Sequence, residues 1–331
     1  MKVTLKDIAQ ESGYSISTVS RVLNGSGNIS KEVQMQIVKI AEKLDYPFVK
    51  SKIPIYSNGT LHIALVIDFR VGEFYSSFFY GFSEAAREAD IQLSLIDVVD
   101  HEENLVNTIN NLNEQIIDGI CLFLPEMELV DYKNLLKEIN TKVPIVSNSM
   151  TQTPVLPTIT FDGLSGGHLA ADYFIKKGYK SFGIVKGPYE KAEARFRYNG
   201  FKDNLRHLGY DLIMEAEGNF MFQSGVDAFY SFHKLENKPE AIFVSNDHML
   251  KGFMETAKHH GYKIPDDVAL IGYDNTPMCE ESYPKITTIN TDFKALGIET
   301  FKVLKDIISK KHSRNGTLNL VPVTLVERET A

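Results

Sequence analysis

Apolar positions recur with a helical period through residues 1–46 and with a strand-then-helix rhythm from residue 61 onward. Leu5, Ile8 and Ala9 repeat at helical spacing between Thr4, a start signal, and Ser12-Gly13, a stop. Thr4 with Asp7 three residues later has the form of a capping box. After the tight Gly13-Tyr14-Ser15 turn, Ser15 caps a second short helix whose inward face is Val19, Val22 and Leu23. That helix turns Ile16, Ser17, Thr18, Arg21 and Asn24 outward. A third helix runs from Ser30 to Leu44 with Val33, Ile37, Ile40, Ala41 and Leu44 at core spacing. It ends at Tyr46-Pro47, because proline disfavours helix in the residue before it. The first two helices, crossing at small Ala9, predict a helix-turn-helix module.

Residues 47–60, PFVKSKIPIYSNGT, carry two prolines, two lysines and an Asn58-Gly59 turn, and read as a linker. Apolar strand runs follow at Ile63–Ile67, Leu93–Val98, Ile120–Leu124 and Pro144–Val146. A second series occupies Phe182–Val185, Ala241–Val244 and Val268–Ile271, with helical patterns between the runs. Continuous apolar strands alternating with helices predict parallel sheets covered on both faces. Two series predict an α/β bilobal core with two doubly wound parallel sheets, and a ligand cleft at the strands' carboxyl ends. The expected division is a helix-turn-helix domain at 1–46, a linker at 47–60 and a two-lobed ligand-binding and dimerisation domain at 61–331.

Composition sharpens this division. The chain has 331 residues, 43% of them hydrophobic, enough for several cores, and a net charge of −8. The charge is uneven. Residues 1–60 hold eight Lys/Arg against five Asp/Glu, hence +3, and the remaining 27 against 38 give −11. A basic head on an acidic body confines any nucleic-acid contact to the head, and +3 is weak enough that tight binding needs two copies. Two cysteines, Cys121 and Cys279, form no disulfide framework and fit a reducing cytoplasm. The N-terminus has no apolar signal region and no run reaches membrane-spanning length.

The run Thr18-Val19-Ser20-Arg21-Val22-Leu23-Asn24-Gly25, with Asn28-Ile29-Ser30 and Ala41-Glu42-Lys43-Leu44-Asp45-Tyr46, closely resembles the LacI/GalR family of bacterial repressors. The likeness continues nearly to the C-terminus. It implies a core of the periplasmic-binding-protein type-1 fold, with chain crossovers between lobes near Phe161, Thr291 and Val321. It makes Ile16, Ser17 and Arg21 the base readers in a DNA major groove, with Thr18, Ser20 and Asn24 on phosphate and Thr4 a further DNA contact. It also implies a homodimer on a near-palindromic operator. Family linkers are alanine- and arginine-rich and end in a leucine that wedges into the minor groove. An ungapped count from Tyr46 puts Ile55 at that position, where the preceding Pro54 would interrupt a helix.

For the cleft, the resemblance implies effector contacts from Arg197, Asn246 and Asp274, a polar wall at Asn148, and packing from Phe74, Tyr75, Phe220 and Phe293. A guanidinium, an amide and a carboxylate together hold neighbouring sugar hydroxyls in both donor and acceptor senses. Asp247 and Asp162 read first as helix caps or loop organisers. The expected function is repression of carbohydrate-utilisation genes, switched by a small sugar-type effector. The alternative effector is a purine or a phosphorylated metabolite, acting as co-repressor, for which Lys186 and Arg195 leave room. A free-standing sugar receptor is a different class, and residues 1–46 argue against it. No catalytic constellation, metal set or cofactor is expected. Gly163, Gly166 and Gly167 do not follow a strand in the dinucleotide pattern, His259-His260 lacks ligand partners, and no nucleophile elbow occurs.

Overall fold

A computed structural model describes residues 3–23, 29–44, 46, 61–68, 73–98, 101–113, 117–310 and 316–331. The head consists of α1 (Leu5–Ser12), α2 (Ile16–Leu23) and α3 (Lys31–Lys43). Gly13 closes α1 in the left-handed region at φ 74, returning its N–H to Ala9 O, a conformation that costs a residue without Cβ little. Ser15 Oγ accepts from Thr18 N at 3.1 Å, so the cap read from the sequence is present. Ile8, Ala9, Val19, Val22, Leu23, Ile37, Val38 and Ala41 close one small core. Residues 47–60, and Ile55 with them, lie outside the described residues, as does Asn24.

The body runs β1 (His62–Ile67), α4 (Glu73–Glu88), β2 (Gln92–Asp97), α5 (His101–Asn113), β3 (Gly119–Phe123), α6 (Leu129–Glu138), β4 (Ile145–Ser147) and β5 (Thr158–Phe161). It continues through α7 (Gly163–Lys177), β6 (Phe182–Val185), α8 (Ala192–His207), β7 (Leu212–Ala216), α9 (Phe222–His233), β8 (Ala241–Val244), α10 (Asp247–His259) and β9 (Ala269–Asp274). The last elements are α11 (Met278–Glu281), β10 (Thr288–Asn290), α12 (Phe293–Lys310), β11 (Leu318–Val321) and β12 (Thr324–Val326).

Two six-stranded sheets result, ordered β11-β5-β4-β3-β1-β2 and β12-β10-β9-β8-β6-β7. Their central strands, β1, β3, β6 and β8, are buried throughout, which is why those apolar runs stand out in the sequence. The first sheet is wholly parallel. The second departs from the expected all-parallel pattern, since β12 pairs antiparallel with β10. The chain leaves the first sheet after Phe161, returns after Asn290 into α12, and crosses again between Val321 and Thr324. These are the crossovers the resemblance implies.

Two helix contacts position the cleft. On the second lobe α7 and α8 meet backbone to backbone. A Cβ on Gly167 would run into Arg197 O and Phe201 N, and one on Gly200 into Leu164 O. The glycines at 163, 166 and 167 therefore serve helix packing, with Gly166 against the Tyr273 ring. On the first lobe α12 lies as closely on α4, so the helix that returns from the second lobe is locked to the first through Gly81 and Gly297.

Candidate functional site

The head presents one polar face. Ile16 is 48% exposed, Ser17 and Arg21 are exposed, and Thr18 and Ser20 are half-buried beside them. Helical geometry places residues 16, 17, 20 and 21 on one side of α2, opposite buried Val19, Val22 and Leu23. Ser15 Oγ lies 2.8 Å from both Ser17 Oγ and Thr18 Oγ1, a hydroxyl cluster at the helix's positive end. Thr4 stands apart. The Asp7 carboxylate accepts from its N–H at 2.8 Å and its hydroxyl at 2.7 Å, and these bonds hold the Asp7 carboxyl below its usual range.

Between the lobes lies a cavity of about 160 Å³. The first lobe contributes Phe74, Tyr75, Phe123, Asn148, Ser149, Phe293 and Leu296, and the second Gly163, Glu193, Phe196, Arg197 and Tyr273. Phe123 ends β3, Asn148 follows β4, Phe161 ends β5 and Tyr273 lies at the end of β9, so the cavity sits at the strands' carboxyl ends as the fold class predicts. Phe293 packs against Phe74 at 4.7 Å and Phe161 at 5.0 Å between ring centroids, which fixes one aromatic wall.

Arg197 is the centre of this site. Its Nη1 donates to Ser245 O at 2.6 Å, its Nη2 lies 3.5 Å from Asp274 Oδ1, and its guanidinium carbon sits 3.8 Å from the Tyr273 ring centroid. Phe220 covers it from another side at 5.5 Å. Two residues of this surround have left-handed backbones, Phe220 at φ 67 and Asp274 at φ 111, and such non-glycine strain costs about 1–3 kcal/mol each. Asn246 holds the first of them: its amide donates to Phe220 O at 3.0 Å while its oxygen caps α10 by accepting from Met249 N.

The eight effector residues implied by the resemblance thus divide. Phe74, Tyr75, Asn148, Arg197 and Phe293 line the cavity. Phe220 and Asp274 contact Arg197, and Asn246 supports Phe220, without lining it. Asn148 is also structurally engaged. Its amide donates to Ile159 O at 2.9 Å and Thr300 Oγ1 at 2.8 Å, and its oxygen accepts from the Cys121 thiol at 3.5 Å. Asp247 has the structural role expected of it, accepting from Thr288 Oγ1 at 2.6 Å and Thr276 N at 2.9 Å. Asp162 caps α7 through Ser165 N at 3.0 Å.

Several cleft residues were not singled out from the sequence: Glu193, Tyr273, Phe123, Phe161 and Phe196. Burial raises the Glu193 carboxyl above its usual range, raises Asp274 to about 7 against the opposing pull of Arg197, and pushes the Tyr273 phenol to about 12. Among the described residues, buried Arg197 Nε and the Tyr273 hydroxyl have no hydrogen-bond partner. Tyr273 is fully buried with its hydroxyl beside Gly166, so its ring rather than its hydroxyl forms part of the cavity wall.

Residues 4–47 match the family described as bacterial regulatory proteins, lacI family, and residues 171–331 match a periplasmic binding protein-like domain. The ribose operon repressor of Escherichia coli K12 is 28% identical over 339 residues, covering 99% of each chain. The HTH-type transcriptional repressor PurR of Mannheimia succiniciproducens is 25% identical over 327 residues, 98% of each. The lac repressor dimer bound to operator and the anti-inducer ONPF superposes with a TM-score of 0.72 at 25% identity, covering 100% of this chain and 99% of that one. A complex of the transcriptional regulator CelR with cellobiose, 23% identical with a TM-score of 0.71, shares the fold.

Proposed function

Because this chain belongs to the LacI family of bacterial regulatory proteins, we propose that it represses carbohydrate-utilisation genes and leaves its operator when a neutral, hydroxyl-rich effector fills the cleft. The observation that carries the effector class is the Arg197 surround. The Arg197 guanidinium and the Glu193 carboxyl line one cavity with Phe74, Tyr75 and Phe293. Vicinal hydroxyls donate to and accept from such a set, and their ring's C–H face packs on Phe74 or Phe293.

The engagement of Arg197 disfavours an anion: one terminal nitrogen donates to Ser245 O and the other faces Asp274, so the guanidinium offers no free two-nitrogen fork to a phosphate or carboxylate. Lys186 and Arg195, the residues that left room for a phosphate, are engaged elsewhere. Lys186 pairs with Glu217 at 2.5 Å and Glu215 at 3.6 Å, and Arg195 donates to the carbonyls of Tyr189 and Glu190. A relative named for ribose and one named PurR frame the choice between sugar and purine. The paired polar groups favour the sugar, since a flat purine offers fewer adjacent hydroxyl-like partners.

DNA recognition belongs to α2. Ile16, Ser17 and Arg21 read base edges, while Thr18, Ser20 and Asn24 touch phosphate and Thr4 adds a further contact. Two heads act together, carried by a homodimer of the two-lobed body. Exposed Tyr80, Leu95, Met221 and Tyr283 give both lobes apolar surface for a partner to cover. The chain works on double-stranded DNA in the cytoplasm and has no enzymatic role. No helix among the described residues is long and apolar enough to cross a membrane.

A thermal-shift panel of unmodified sugars, sugar phosphates and purine bases tests the effector class. Stabilisation by an unmodified sugar is expected. A response confined to purines or phosphates would overturn the sugar reading. Mobility-shift titration on the operator then gives the direction: the sugar weakens DNA binding if it induces, and tighter binding would make it a co-repressor instead.

A further inference from the structure

The Arg197 chamber is small. Ligand pockets usually span about 300–1,000 Å³, and this one holds about 160 Å³. A second cavity of about 280 Å³ adjoins it at the outer edge of the cleft, and Pro125 and Met150 are walls of both. Helix α8 passes along the two: Ala192 and Arg195 face the outer chamber, Glu193 and Arg197 the inner one.

We propose that this outer chamber is a second sugar subsite, so that the ligand is a disaccharide or other glycoside with one ring at Arg197 and the next ring outside it. The proposal rests on the carbohydrate reading above and names its substrate more closely. Its floor is Tyr189, an aromatic side chain 78% exposed in the structure. The Arg195 guanidinium carbon lies 5.7 Å from its ring centroid, and the same guanidinium holds the backbone there by donating to Tyr189 O and to Glu190 O at 2.9 Å. An exposed aromatic face attracts the C–H edges of a second pyranose. Gln152 and Thr151 add polar groups at the rim.

The chamber is also suited to a neutral ligand. Its two cations are both engaged: Arg195 as above, and Lys191 with Glu126 Oε2 at 3.0 Å and Glu126 O at 3.1 Å. Lys191 reaches from the start of α8 to the first-lobe loop beside Pro125, which places a cross-lobe clasp where the two chambers meet. The glycosidic linkage would pass that clasp.

Calorimetric titration of the full chain with matched pairs tests the subsite: glucose against cellobiose and maltose, galactose against lactose and melibiose. The readout is the ratio of dissociation constants for a disaccharide and its own monosaccharide. We expect the best disaccharide to bind about two- to tenfold tighter, the gain expected of one ring laid on an aromatic face. Tyr189→Ala should bring that ratio to near one, and Tyr189→Phe should preserve it. A monosaccharide that binds as tightly as every disaccharide containing it overturns the outer subsite and leaves the Arg197 reading standing. A ratio unmoved by Tyr189→Ala overturns the assignment of the floor, and with it the proposal. Failure of every sugar in the set, with binding of a purine instead, overturns both readings together.

Discussion

Asp274 and Arg197 set the acid–base behaviour of the cleft. Burial raises Asp274 to about 7, from an ordinary value of 3.8 in the unfolded chain. A carboxyl raised on folding stabilises the fold while protonated. That contribution is complete below the unfolded value and is lost as pH rises through the folded one. The Tm of the native protein minus that of Asp274→Asn should therefore fall between pH 5 and pH 8, and a difference constant with pH would show that Asp274 does not titrate there. At the head, Arg21→Ala should weaken operator binding by about 1–3 kcal/mol per half-site. Mobility shift reads this directly, and unchanged affinity would remove Arg21 from the base readers. Arg197 was legible only through the family resemblance, which implies a cleft contact at that position. Glu193, four residues earlier on the same helix and therefore a neighbour on its face, gave a usable signal that was not taken. Tyr273 gave none, because nothing local distinguishes an aromatic that faces a cleft from one in a core. Asn246 carries the opposite lesson, since an asparagine directly before a helix is an N-cap by local chemistry, and that is the role its side chain fills.

Strands were legible where their apolar runs are continuous or nearly so, including Leu93–Val98 at edge strand β2, which leaves positions exposed. HIALVI and AIFV stand out as continuous apolar runs because both faces of their strands are covered. TITF, LIMEA, TIN, LNLV and TLV escaped the same reading. They are short, or lie at sheet edges with exposed positions, and their pairing is set by distant partners such as β5 with β11. The head was the easiest part, since its caps, its αL glycine and its apolar stripe all report the same three helices. Element packing then decides where Arg197 stands. Helix α8 reaches the cleft only because α7 lets it approach to backbone contact at Gly167 and Gly200. Gly200→Val should push α8 outward and destabilise the body by about 1–3 kcal/mol, as overpacking does. Sugar affinity should fall with it, while the isolated melting of the head should not change. A Gly200→Val protein with native Tm and native sugar affinity would show that the close approach is incidental.

Across the whole molecule, a ligand alters operator affinity only by favouring one arrangement of the lobes over another. The lobes are joined by three chain crossovers, and the Lys191 clasp is a contact between them, at the wall of the outer chamber, that a substitution can remove without touching the Arg197 chamber or the head. Lys191 is largely buried, with 18% of its side chain exposed, while Glu126 is half-exposed, so the pair is worth less than a fully buried one. Lys191→Ala should weaken sugar binding about two- to fivefold, which is the scale of a pair near 0.5–1 kcal/mol. If the clasp belongs to the sugar-bound arrangement, the same substitution shifts the unliganded protein away from it. Operator affinity without sugar should therefore change in the direction opposite to the change sugar itself produces. A Glu126→Ala, Lys191→Ala cycle separates the clasp from the loss of either side chain alone. If Lys191→Ala weakens sugar binding and leaves the free protein's operator affinity where it was, the clasp only holds ligand. Movement of both affinities, in opposite senses, would make lobe closure the step through which the acidic body controls the basic head.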